Sequence, residues 1–167
     1  EPAGGTDLFS ALDLALGLLA DHELASSTLA ARLAAMVRAE VPEVVGAGLN
    51  VLGGLRHGGA SVPIEALLRE AARTDPVTAL AGRTGGSVGL DGFGHELYPD
   101  GDPRAAAILD RLADLDAPGD RLATVRSVLA AATDAGIAAP NVDVALAAVA
   151  FCTDMPPGSG EAIFALA

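Results

Sequence analysis

The chain has 167 residues, half of them hydrophobic but only 3% aromatic, enough for one domain or a domain and a fraction built on Ala, Leu and Val. That palette favours packed helices over sheets. Its formal net charge is −12 and its ten basic residues are all arginines, which argues against nucleic acid or an anionic membrane as the main partner. The single cysteine, Cys152, excludes an intrachain disulfide framework and a cysteine zinc site; within an apolar run it reads as a buried, inert thiol of a reducing, cytoplasmic setting.

In chain order, Thr6–Ala20 carries Leu8, Leu12, Leu16 and Leu19 at helical spacing, with Thr6 as N-cap. Ser26 or Ser27 caps a second helix running to about Ala39. Pro42 starts a third, apolar almost all round, which predicts burial. It ends at the glycine-rich stretch Gly53–Gly59, and a fourth helix covers about Val62 to Arg73. Gly82–Gly101 has no helical period. Asp102-Pro103 then supplies an N-cap and a proline at the first helical position, opening a helix to about Leu115. Further helices are predicted over about Asp120–Ala135, from Pro140-Asn141 through Cys152, and from Ser159 after the Pro156-Pro157-Gly158 break. No segment reads as a strand, so the fold class is all-α. No apolar run approaches the roughly 20 residues of a membrane span. The chain shows no signal peptide, starts without Met and stops inside an apolar pattern at Ala167, so it reads as part of something longer.

Three histidines stand out: His22, His57 and His95, the latter two flanked by glycines that let backbone approach a ligand closely. Their wide separation gives no local metal-ligand pair, so no metal is expected.

The words around them resemble those of the citrate synthase family. Asp21-His22-Glu23 with Ser27-Thr28 is similar to the family's "DHE…ST". Leu55-Arg56-His57-Gly58-Gly59-Ala60 resembles "PLHGGAN", and Gly92-Phe93-Gly94-His95, Tyr98 and Asp102-Pro103-Arg104-Ala105 together resemble "GFGHRVY…DPRA". Asn141-Val142-Asp143 resembles the "NVD" before a long helix, and Phe164-Ala165-Leu166 the "FAI" before an arginine. The motifs keep the family's order and approximate spacing.

The resemblance implies a citrate synthase-like multihelical fold: residues 1–60 in large-domain helices, 61–146 as the small domain, and 147–167 returning to the large domain. It implies condensation of an acyl-CoA, acetyl-CoA or propionyl-CoA, with oxaloacetate to give citrate or 2-methylcitrate plus CoA. Coenzyme A thioester is then a co-substrate, no cofactor is permanently bound, and the partner is a second copy in a homodimer. Asp143 corresponds to the base that takes the acyl α-proton, His57 to the group that stabilises the enol, and His95 to the group that polarises the oxoacid carbonyl. His22 and Arg104 correspond to residues that hold the oxoacid, and Gly92, Phe93 and Gly94 fall at the CoA-binding loop. Ala25, Arg56, Ser61 and Glu96 depart from the family's usual Asn, apolar residue, Asn and Arg. Two further family arginines that clamp carboxylates correspond to positions after Ala167, so residues 1–167 alone are expected to be inactive. The alternative from another class is a non-catalytic binding or dimerisation module, against which His57, His95, Asp143 and Arg104 together favour an enzyme; a citryl-CoA lyase uses related groups and stands as a further alternative.

Overall fold

A computed structural model describes residues 5–21, 24–83, 90–114 and 119–167. These form α1 (Gly5–Leu19), α2 (Ser26–Met36), α3 (Val41–Leu52), a single 3-10 turn (Gly58–Ala60), α4 (Ser61–Ala71), α5 (Pro76–Ala81), α6 (Pro103–Ala113), α7 (Arg121–Asp134), α8 (Val142–Cys152) and α9 (Ser159–Leu166). Among the described residues the only extended pairing is one isolated antiparallel bridge, Phe93 with Pro140. The chain is therefore all-α, as its composition predicts.

The architecture is organised around α8. All eleven of its residues are buried, which is why Val142–Cys152 has no polar face: a helix enclosed on every side has no solvent to meet. α4, α6 and α9 are its principal neighbours, with α1 and α7 also against it. Leu67, Ile108, Leu112, Leu146 and Val149, each fully buried, fill the space between them. The expected division at residue 146 falls inside this one continuous helix. Cys152 lies in the same core as a free thiol, and burial, partly opposed by Arg121, pushes its pKa up to about 11.

Burial falls differently on α3 from what its apolar sequence predicts. No residue of α2 or α3 is buried. The two helices pack chiefly against each other and leave Leu29, Leu33, Met36, Val41, Val45 and Leu49 exposed. Periodicity reports how much apolar surface a helix carries; whether that surface is covered within the same chain is a tertiary fact.

Several caps agree with the sequence. The Asp102 side chain accepts from Arg104 N–H at the start of α6, and the Asn141 side chain accepts from Asp143 N–H at the start of α8. At the other ends the structure differs. α1 begins at Gly5, placing Thr6 inside its first turn, and the residue flanking α2 is Ala25, without a side-chain bond. α5 has no counterpart among the predicted helices. It is six residues long, too short to show a period, but it opens on Asp75-Pro76 with the Asp75 carboxylate accepting from Thr78 N–H at 2.9 Å, the same signal that opens α6.

Two carboxylate and glycine devices set the site-bearing segments. Glu65, 2% exposed, accepts from Gly158 N–H and Gly160 N–H with its two oxygens (2.9 and 2.8 Å), so α4 caps α9 from outside. The turn after His57 folds back on the end of α3 so tightly that a Cβ on Gly59 would lie 2.5 Å from the Gly53 carbonyl oxygen. Backbone cannot yield there as a side chain could. Gly59→Ala should therefore cost about 1–3 kcal/mol in thermal or chemical unfolding. Gly17→Ala, at an exposed α1 position with nothing within 4 Å, should leave stability unchanged or raise it by up to about 1 kcal/mol.

Candidate active site

The lacing of two distant segments makes the site. Residues 92–95 run beside residues 139–141: Gly94 N–H donates to the Ala139 carbonyl (2.8 Å), Asn141 N–H to the Gly92 carbonyl (2.9 Å), and the Asn141 side-chain amide to the Gly94 carbonyl (3.0 Å). Gly92 sits at φ +83°, and a Cβ there would meet Ile64 and Val144 at 2.9 and 3.0 Å, so both its conformation and its close packing require glycine. The result is that His95 stands next to the first turn of α8.

A cavity of about 470 Å³ opens there. His57, His95, Arg104 and Asp143 all line it, with Gly92, Phe93 and Arg56. Six predicted site residues from four separate segments thus meet in one space. Gly94 is not in the lining; it serves the backbone lacing instead. His22 lies outside the described residues. Of the departures from the family pattern, Ala25 and Arg56 line the cavity; the Ser61 hydroxyl is buried and donates to the Gly58 carbonyl, and Glu96 is exposed.

Asp143 is 9% exposed, and its Oδ1 is buried without a hydrogen-bond partner among the described residues. Burial raises its pKa to about 7; Arg104 opposes that rise, and the carboxylates of Asp102 and Asp91 add to it. A carboxyl titrating near neutrality can both take and return a proton under physiological conditions.

His57 Nε2 lies 2.8 Å from the Ser27 hydroxyl in the first turn of α2, and its ring meets the edge of Phe164 from α9 at 5.4 Å. Burial holds its pKa below the ordinary value, so the imidazole is neutral at neutral pH. With Nε2 engaged by Ser27, Nδ1 is the ring nitrogen left for a ligand.

His95 is oriented differently. Leu97 N–H donates to its Nδ1 at 3.1 Å, which alone would place the neutral ring's proton on Nε2. Arg104 Nη2 stands 3.3 Å from that Nε2. A guanidinium only donates, so in this contact Nε2 is the acceptor, and Leu97 N–H and Arg104 compete for the one bare nitrogen of the neutral ring; an acceptor placed beside Nε2 favours the tautomer with its proton there. Tyr98 backs both: its ring is 4.9 Å from the His95 ring and 5.3 Å from the Arg104 guanidinium carbon.

Ser27 and Tyr98 thus join the site although the sequence marked Tyr98 only as part of a matching word and Ser27 as that and a candidate helix cap. Their signal was positional: each lies within a motif whose histidine was singled out. Asp102 was read as a helix cap and does more, as described below.

The sequence matches the family described as citrate synthase, C-terminal domain, over residues 5–167, and the chain belongs to the citrate synthase family. It is 34% identical over 98 residues to the 2-methylcitrate synthase of Shewanella oneidensis (58% of this chain, 26% of that protein). It is 35% identical over 111 residues to citrate synthase 1 of Mycobacterium tuberculosis (63% and 25%), and 31% identical over 147 residues to the 2-methylcitrate synthase of the same species (83% and 36%). The chain therefore spans about a quarter to a third of the length of these relatives. Among solved structures it resembles a citryl-CoA lyase from Hydrogenobacter thermophilus, with a TM-score of 0.78 at 24% identity over 96% of this chain and 64% of that one. At that identity the likeness concerns the fold.

The raised Asp143 pKa carries a stability consequence. Between about pH 4 and pH 7 the folded chain keeps a proton on Asp143 that the unfolded chain has released, so stability falls as pH rises through this window. Asp143→Asn removes that dependence. It should raise the unfolding free energy at about pH 8 by up to about 4 kcal/mol and leave it nearly unchanged at about pH 4, as read by denaturant unfolding at the two pH values.

Proposed function

We propose that the protein to which this chain belongs condenses an acyl-CoA, acetyl-CoA or propionyl-CoA, with oxaloacetate, giving citrate or 2-methylcitrate and free CoA. The observation that carries this reading is Asp143: a desolvated carboxyl with an unpartnered oxygen, facing a cavity that also holds two histidines and an arginine.

In this reading the Asp143 carboxylate takes the α-proton of the thioester. The electron pair moves toward the thioester oxygen, which receives a hydrogen bond from His57 Nδ1–H. Ser27 at Nε2 keeps that ring in place. A thioester α-proton is too weakly acidic for a carboxylate alone, so the donor must act where charge develops. The enolate carbon then attacks the ketone carbon of oxaloacetate, the thioester carbonyl re-forms, and the ketone oxygen, which accepts a hydrogen bond from His95 Nε2–H, ends with the proton that Asp143 took up. The new carbon–carbon bond gives citryl-CoA or its methyl homologue; water cleaves the thioester and releases CoA.

Arg104 holds an oxaloacetate carboxylate beside His95. His22 is assigned to the same substrate on the family resemblance. Gly92 and Phe93, in the cavity wall, and Gly94, which holds that segment in place, are assigned to the CoA side. Residues 61–146 act as the part that closes over the substrates, and a second copy covers the exposed apolar face of α2 and α3 in a homodimer. Residues 1–167 alone are assigned no turnover, since the chain spans only a fraction of its relatives.

In the full-length protein, Asp143→Ala should reduce CoA release from acetyl-CoA or propionyl-CoA with oxaloacetate by at least about 100-fold while leaving oxaloacetate affinity within about threefold. The unsubstituted enzyme's kcat should rise with pH to a plateau above about 7, where Asp143 has lost its proton. A full-length protein that binds both substrates but forms no carbon–carbon bond would make the fold a binding module instead.

A further inference from the structure

Asp102 sits behind the cavity rather than in it. Its side chain is fully buried, and both oxygens are engaged. Oδ1 accepts from the backbone N–H of Arg104 (3.0 Å) and from Arg104 Nε (2.9 Å). Oδ2 accepts from Arg104 Nη2 (2.8 Å) and from the backbone N–H of Val142 (3.0 Å), forty residues further along the chain. One carboxylate thus caps the starts of two helices, α6 and α8, and grips one edge of a guanidinium in a two-point fork.

We propose that Asp102 is the positioning residue of this site: it turns Arg104 so that only the outer edge of the guanidinium is offered to the oxoacid, and it ties the start of α8, with Asp143, to that cation. This rests on the condensing reading given above and adds a residue to it.

The donor count supports the assignment. A guanidinium has five N–H groups; Asp102 takes Nε–H and one Nη2–H. What remains unshared is both hydrogens of Nη1, which can take a carboxylate oxygen, while the second Nη2–H is directed at His95 Nε2, 3.3 Å away. A carboxylate on Nη1 brings an adjacent keto oxygen within reach of His95, the arrangement of a 2-oxoacid. Val142 directly precedes Asp143, so the same carboxylate sets where the base begins. Arg104, in turn, holds Asp102 ionised: burial alone would raise the Asp102 carboxyl, but its bonds and charge pairing with Arg104 and the Val142 N–H outweigh that and lower it.

Asparagine cannot replace this carboxylate. One of its two terminal atoms is itself a donor, so whichever way the amide faces, two of the four N–H groups lose their acceptor.

The test is a double-substitution cycle in the full-length protein, read by equilibrium binding of oxaloacetate and, separately, of acetyl-CoA. Asp102→Asn should weaken oxaloacetate by about 10–100-fold and acetyl-CoA by no more than about threefold. In an Arg104→Gln background the same change should weaken oxaloacetate no further, because its route of action has been removed. Additive losses, or equal loss of both ligands, would overturn the proposal. A second measurement needs neither a folded variant nor turnover: in the unsubstituted protein the Arg104 Nε–H should give a sharp, slowly exchanging NMR signal. Exchange as fast as that of a surface arginine would overturn the proposal by itself. Retention of the slow signal in a protein without condensing activity would leave the positioning role standing and remove only the assigned reaction.

Discussion

The structure depends on one constraint: α8 is enclosed on every side, yet its first turn must open onto a cavity. An enclosed helix has to be apolar from end to end, and Val144–Cys152 is. The N-terminal turn is the exception, because its N–H groups have no partners within the helix. Here they are met by Asn141 from the local chain and by Asp102 from α6. Asp143 is then the one carboxyl on a helix that otherwise excludes water, and its desolvation follows from its address. The chemistry at this position is a consequence of how the core is built.

The remaining groups reach the same place by other routes. His57 arrives on a glycine turn pressed against the end of α3. His95 arrives on a segment laced by three hydrogen bonds to the residues before α8. The two rings are set up in opposite senses. Ser27 occupies Nε2 of His57, whereas Leu97 N–H occupies Nδ1 of His95. Two imidazoles held in opposite senses can present different nitrogens to two different acceptors. The chain is acidic as a whole, and Asp21 and Asp91 line the cavity, so positive charge in the lining comes from Arg104 and Arg56 and not from the molecule at large.

Much of this was legible in the sequence. Asp102-Pro103 and Asn141 announced two helix starts correctly because capping is a local interaction, decided within three or four residues. His57, His95, Arg104 and Asp143 were readable as a set from their motifs, and they line one cavity. What was not legible is non-local. Nothing around Asp102 shows that its second oxygen reaches Val142, and nothing in α3 shows that its apolar surface stays uncovered by the described residues. α5 escaped because six residues cannot display a period, though its Asp-Pro start was visible. Gly94 was read from its motif as part of the CoA-binding loop; its backbone pairing with residues 139–141, which the sequence did not show, is a further non-local feature.

Because Asp143 joins the fold to the chemistry, its proton affinity is the quantity on which the account rests most heavily. The direct measurement is the titration of the Asp143 side-chain carboxyl by carbon-13 NMR, with Asp143→Asn used to assign the signal. A midpoint near 7 is predicted, since burial and the neighbouring carboxylates outweigh Arg104. A midpoint near the ordinary aspartate value of about 4 would contradict the account, showing that the carboxyl is solvated and that enclosure of α8 does not raise its proton affinity.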